Sequence, residues 1–207
     1  YIDTGAKRRE DSPVRVGDVA VFERPYLDLG GRIVAKAMDN RAGAAVLIEA
    51  MRRLGESPHE LYFAFTAQEE VGNRGATVAA YGVDPQLAIT IHVTPAGDTP
   101  KVRPAEITLG KGPAIKVRDS SMISDPRVVR WMTETAENAK IAYQLEILES
   151  GTNEASAIQI SRGGVPAGCI SIPCRYLHTP SEMIDVGDAQ NCVALVVELL
   201  NRPVPWL

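Results

Sequence analysis

The chain has 207 residues, which at roughly 150 residues per domain means one domain, or one domain with a fragment of another. Hydrophobic residues make up 45% and charged residues 23%, ordinary globular usage that excludes a disordered, collagen-like or low-complexity chain. Twenty-two Lys and Arg against 26 Asp and Glu leave a net charge of -4, and no basic run exceeds Lys7-Arg8-Arg9, which argues against nucleic acid or an anionic membrane as partner.

The first thirty residues are rich in Gly, Pro and charge and read as a small irregular module, with one strand-like run at Val19–Glu23. The chain opens on Tyr1 without a basic-then-apolar leader, so no export signal is expected and the chain can itself be a cut piece. Arg32–Ala37 predicts a strand, and Ala44, Leu47, Ile48, Met51 and Leu54 recur at helical spacing until Gly55. Leu61–Thr66 predicts a strand, Ala76–Tyr81 a short helix, and Leu87–Thr94 a β-branched strand. A strand at Ala114–Arg118 precedes Pro126, which opens a helix running through Val128–Ala142, and Tyr143–Leu148 then reads as extended. Asn153 can cap a helix to Arg162, Gly168–Pro173 reads as a buried strand, and Ala189, Cys192, Val193, Val196, Val197 and Leu200 mark a last amphipathic helix.

Val193–Leu200, the longest strongly apolar stretch, falls far short of the roughly 20 residues that span a bilayer. Cys169, Cys174 and Cys192 are odd in number and form no CxxC pair, so they are expected as buried, reduced thiols of a cytoplasmic protein. Strands alternating with helices predict an α/β fold: a mostly parallel mixed central sheet with helices on both faces. In such sheets functional groups collect where strands end.

Ionisable groups stand at those ends: Asp39, the pair Glu69-Glu70, His92 and His178. Each has an ordinary alternative. Asp39 or Asn40 can simply cap the next helix, Glu69-Glu70 can be a solvated strand end, and His92 can be a hydrogen-bonded core residue. His178 sits on a Pro-stiffened polar loop, where a functional histidine is at home, whereas His59 in a turn reads as surface. Together the four sites supply carboxylates and imidazoles from separate strand ends, the mixture that zinc or cobalt selects. One of two adjacent carboxylates can ligate a cation while its neighbour acts as general base, the arrangement of a hydrolase for an unactivated bond.

Four stretches carry a family resemblance: Ala35-Lys36-Ala37-Met38-Asp39-Asn40-Arg41-Ala42-Gly43, Thr66-Ala67-Gln68-Glu69-Glu70-Val71-Gly72-Asn73-Arg74-Gly75-Ala76, Val93-Thr94-Pro95-Ala96-Gly97-Asp98 and Arg175-Tyr176-Leu177-His178-Thr179-Pro180-Ser181-Glu182. In this order they resemble the M42 family of dinuclear metallo-aminopeptidases, which includes glutamyl aminopeptidases and the tetrahedral TET peptidases. The resemblance implies a zinc-peptidase-like fold, two divalent cations per complete site, peptide substrates, and homo-oligomers built from dimers up to dodecamers. It implies Asp39 as the carboxylate bridging both metals, Glu69 as general base, and Glu70 and His178 as ligands of one metal. Residues 1–30, beginning Tyr1-Ile2-Asp3-Thr4-Gly5-Ala6, resemble the tail of the family's inserted β-rich dimerisation domain, and residues 31–207 its catalytic domain.

The sequence departs from that pattern in three places. His92 stands where the family has Asp, so an imidazole is expected at the second metal. Nothing matches the family's His-x-Asp segment, whose histidine completes that metal site, so the chain is expected to be the C-terminal three-fifths of such an enzyme with one site incomplete. Asn153 in Gly151-Thr152-Asn153-Glu154 replaces the Asp of Gly-Thr-Asp. The expected function is therefore a metal-dependent aminopeptidase. The alternative is a catalytically impaired fragment or homologue acting as an assembly module, and a glycan-cleaving enzyme ranks last because only Trp131 and Trp206 are available as indole sugar platforms.

Overall fold

The computed structural model describes residues 2–101 and 106–207; Tyr1, first residue of the expected dimerisation-domain tail, lies outside them. Residues 2–26 hold only a short 3-10 turn at Arg9–Asp11 and stay almost wholly exposed. The expected strand at Val19–Glu23 is extended chain without a ladder, because Val19 and Val21 have nothing to pack against. Order begins at the hairpin of β1 (Leu27–Asp28) and β2 (Arg32–Ala35), where Gly30 and Gly31 turn the chain with φ of 74° and 108°, a region that costs glycine little.

The remaining elements are α1 (Met38–Arg53), α2 (Arg74–Val83), β3 (Ala88–Pro95), β4 (Ala114–Arg118), α3 (Pro126–Ala139), β5 (Gln144–Ile147), α4 (Glu154–Ile158), β6 (Ala167–Arg175), β7 (Glu182–Asp185) and α5 (Val186–Leu200). Capping follows the sequence. Asp125 accepts from Arg127 N ahead of Pro126, Asn153 accepts from Ala155 N, and Asp185 accepts from Gly187 N. The helix expected from Asn153 to Arg162 is only one turn long, Glu154–Ile158, and the backbone turns left-handed at Arg162 and Gly164.

The sheet is mixed, as expected, with a smaller parallel share: β3 and β6 pair in parallel, as do β4 and β5, while β1 with β2, β2 with β7, β6 with β4 and β6 with β7 are antiparallel. β6 is its spine, with β3 along one edge and β4 then β7 along the other. Leu61–Thr66, expected as a strand, joins no ladder among the described residues. A cavity of about 960 Å3 lies between it and α1 and β3, so its backbone has no strand within pairing distance and Tyr62 and Phe65 remain exposed.

Alternation along β3 decides where the site lies. Ile91 and Val93 enter the main core with Ile170 and Ile172 of β6 and with α1, α3 and α5. Thr90, His92 and Thr94 therefore point to the opposite face, where they are buried with Lys116, Glu146 and Ser171. Full burial of Leu195 and Leu199 on α5 contributes roughly 1.5–3 kcal/mol each to holding the helical layer on the sheet. All three cysteines are buried free thiols, and burial pushes Cys169 up to about 11 and Cys174 up to about 12, out of the reactive range. Among the described residues no helix is long and apolar enough to cross a membrane.

Candidate metal centre

Asp39 sits where β2 turns into α1. Ala37 adopts left-handed backbone, the Asp39–Asn40 peptide is cis, and both residues are non-helical. The capping reading of this turn holds. The cap is Asn40, whose Oδ1 accepts from Gly43 N at 3.1 Å while its Nδ2 donates to the Ile91 carbonyl at 2.8 Å. Asp39 is thereby free to project its carboxylate, and its two oxygens face two different groups: Oδ2 lies 3.1 Å from His178 Nε2 and Oδ1 lies 3.8 Å from His92 Nε2.

The adjacent glutamates separate in the same way. Glu70 Oε1 is 3.7 Å from His178 Nε2, whereas Glu69 Oε1 is 3.8 Å from His92 Nε2. The outer group comprises Asp39, Glu70 and His178, with ligand atoms within 4.8 Å of one another, and it opens to solvent through His178 and Glu70. The inner group comprises Glu69, His92 and Glu154, also within 4.8 Å. The structure thus brings together all five residues singled out in the sequence, and it adds Glu154, whose Oε2 lies 3.9 Å from His92 Nε2. His92 Nδ1 donates to the Val93 carbonyl at 2.8 Å, which orients the ring so that Nε2 faces the carboxylates. His59 lies apart, with Nε2 on the Arg202 carbonyl at 2.8 Å.

Among the described residues no Lys or Arg pairs with Asp39, Glu69, Glu70 or Glu154, so four carboxyl groups share this space with two imidazoles alone. Burial raises the Glu69 carboxyl above the ordinary range, and the neighbouring carboxylates of Glu154, Glu70 and Asp39 push the same way against the opposing effect of His92.

Two supports stand behind these groups, of which the sequence showed only the Asn153 cap. Glu182, 2% exposed at the start of β7, accepts from Asp39 N at 3.1 Å and from His178 N at 2.8 Å, joining backbone points far apart in the chain. Asn153 carries α4: its Oδ1 takes the Thr90 hydroxyl at 3.0 Å and Ala155 N at 2.9 Å, and its Nδ2 donates to Asp119 at 2.8 Å. Behind it Lys116 and Glu146 form a buried pair at 3.0 Å, and Glu146 also takes the Thr94 hydroxyl. Burial on its own would lower Lys116, but Glu146, Cys169 and Asp119 together hold it above its ordinary value. A polar layer thus underlies the inner group on the same face of β3.

The site opens into the cavity of about 960 Å3, whose walls include Asp39, Glu69, Glu70, Glu154 and the apolar Leu61 and Phe63. Carboxylates and imidazoles converging on two adjacent points, one carboxylate facing both, form a donor set suited to a pair of divalent cations.

Comparison with known proteins points the same way. The sequence profile described as M42 glutamyl aminopeptidase matches residues 1–195. A provisionally named aminopeptidase of Acetivibrio thermocellus is 46% identical over 202 residues, 97% of this chain and 61% of that protein. The lysyl aminopeptidase of Pyrococcus furiosus is 34% identical over 212 residues, 99% of this chain and 60% of that protein. Aminopeptidase APDkam598 of Desulfurococcus kamchatkensis superposes with a TM-score of 0.90 at 41% identity, over 94% of this chain and 56% of that one. The Pyrococcus horikoshii TET1 peptidase, described as assembling into a tetrahedron or a large octahedral shell, superposes with a TM-score of 0.80 at 33% identity, over 97% of this chain and 60% of that one. The chain spans about 60% of the length of the curated relatives it matches.

Proposed function

The chain belongs to the M42 glutamyl aminopeptidase family, a metal-dependent family, and from that premise we propose that it is the catalytic portion of an aminopeptidase that removes N-terminal residues from peptides with two divalent cations, zinc or cobalt. One observation carries this reading: the two oxygens of Asp39 face His178 and His92 separately, at 3.1 and 3.8 Å, as a carboxylate shared by two cations requires. The residues fit such a pair. His92 Nε2 is buried without a hydrogen-bond partner, and the surrounding carboxyl groups lack Lys or Arg counter-charges.

Asp39, Glu70 and His178 would hold the outer cation, and Asp39 and His92 the inner one. Bound there, the pair supplies a Lewis acid for the scissile carbonyl and makes an attacking water more acidic. Glu69 is the general base: it accepts the proton of that water at Oε1 and passes it to the leaving amine nitrogen. Its partly buried position and raised affinity for protons suit it to hold that proton between the two steps. The cavity walls at Leu61 and Phe63 form an apolar approach for a peptide's first side chain. Residues 1–30 read as the tail of a dimerisation domain, supported by the exposed Val16, Val19, Val21 and Phe22, and the protein as a cytoplasmic homo-oligomer.

The test is hydrolysis of aminoacyl chromogenic substrates with zinc or cobalt, comparing the chain with Glu69→Gln. The near-isosteric change should leave metal content intact and lower turnover about 100-fold or more. Activity within threefold of the parent would refute the assignment of Glu69. A second reading, an assembly module without turnover, is favoured by the unpaired Leu61–Thr66 segment beside the site. Metal binding with no hydrolysis of any aminoacyl substrate would select it.

A further inference from the structure

The inner group has one member that neither the sequence pattern nor the proposed catalytic roles account for. Glu154 is the first residue of α4, and its Oε2 is buried without a hydrogen-bond partner, 3.9 Å from the equally orphaned Nε2 of His92. A buried carboxyl oxygen left without a hydrogen-bond partner is costly, and the structure offers Glu154 Oε2 none. His92 itself is 7% exposed, with its Nδ1–H spent on the Val93 carbonyl.

Two buried donor atoms without hydrogen-bond partners, facing one another across 3.9 Å, are the surroundings of a cation. Donor atoms bonded tetrahedrally to zinc at about 2.0–2.2 Å stand roughly 3.4 Å apart. The His92 distances of 3.8 Å to Asp39 Oδ1 and 3.9 Å to Glu154 Oε2 need only a few tenths of an ångström of contraction to reach that spacing.

We propose that Glu154 is a protein ligand of the inner cation beside His92, with Asp39 as the carboxylate shared between the two cations. The proposal rests on the cation-pair reading of the centre given above. Glu69 is as close to His92, at 3.8 Å, but both of its oxygens escape the unpaired buried condition that marks Glu154 Oε2. That division suits a base that must meet water on one side and a ligand shut away on the other. The support behind Glu154 is built for positioning: Asn153 anchors the start of α4 to Thr90, two residues before His92 on the same face of β3, and to Asp119.

The test is titration of the metal-free full chain with Co2+ and Zn2+, followed by calorimetry and the visible Co2+ spectrum, for the parent, Glu154→Gln, Glu154→Ala and the outer-site control His178→Ala. Circular dichroism checks that each variant is folded; the Asn153 cap does not involve the Glu154 side chain, and Gln keeps its bulk. The parent should take up two cations per chain. Both Glu154 variants should weaken one of them by about tenfold or more and alter one Co2+ band while the other site is unchanged, and His178→Ala should do the converse. Two cations held by Glu154→Ala with affinities within threefold of the parent would overturn the proposal, as would a parent that binds only one. Loss of the inner cation in the Glu154 variants of a chain that hydrolyses no peptide would sustain Glu154 as a ligand and defeat the aminopeptidase reading. Unchanged metal binding in Glu154 variants of an active enzyme would do the reverse.

Discussion

Replacing Glu182 should cripple the metal centre without touching any proposed ligand. Its two carboxyl oxygens receive Asp39 N at 3.1 Å and His178 N at 2.8 Å, and the side chain is almost completely buried. Glu182→Ala leaves two backbone N–H groups without acceptors, each costing about 1–3 kcal/mol, so about 3 kcal/mol is a conservative expectation for the pair. For a chain of this size 1 kcal/mol moves Tm by about 2–4 °C, giving a fall of about 6–12 °C. Because the freed groups are the backbones of Asp39 and His178, the outer cation should also bind more weakly. Glu182→Gln keeps one acceptor but turns an amide N–H toward the other donor, so it should fall between parent and Ala. Thermal denaturation followed by circular dichroism, with chelator competition for bound zinc, reads both effects. A Tm within 2 °C of the parent and unchanged chelator competition in Glu182→Ala would refute the idea that this side chain holds the two ligand backbones in place.

Two further outcomes follow from the same structure. Gly43→Ala would put a methyl against Asn40 Oδ1 and 2.6 Å from the Ile91 carbonyl, so it should cost about 1–3 kcal/mol and displace Asp39; parent-like stability and metal affinity would contradict this. The hydrogen bonds and charge of Arg175, at 2.7 Å on both carboxylate oxygens, hold Asp98 below its ordinary pKa of 3.8. A depressed folded pKa means the stabilisation is complete above pH 3.8 and is lost as pH falls through the folded value, so Asp98→Asn should flatten that acid limb of the stability curve by about 1 kcal/mol. An acid limb identical to the parent's would count against the pair.

Much of the centre was legible because its residues break local patterns. Asp39, Glu69-Glu70 and His178 interrupt apolar or turn sequence at strand ends, and His92 interrupts a β-branched run. Glu154 was hidden by its address: an acidic residue in the first turn of a helix already has an ordinary explanation in the helix dipole. Glu182 was hidden by distance, since its partnership with Asp39 spans 143 positions and leaves no local periodicity. Strand β7 escaped notice for a related reason: four residues, Glu-Met-Ile-Asp, carry too little alternation to stand out, and pairing with β2 and β6 makes them a strand. The reverse happened at Leu61–Thr66, where aromatic, strand-forming residues remain outside any ladder because β propensity needs a neighbour to act upon.

The two-sided use of β3 ties solubility, folding and chemistry into a single mutational constraint. Ile91 and Val93 face hydrocarbon while Thr90, His92 and Thr94 face ionisable groups, so a one-residue insertion or deletion inside the strand would present methyl groups to the carboxylates and an imidazole to the core. Point substitutions on the apolar face can be absorbed by repacking, but changes in length cannot. The hydrophobic effect therefore keeps time for the reactive groups, and β3 is free to vary in composition far more than in phase.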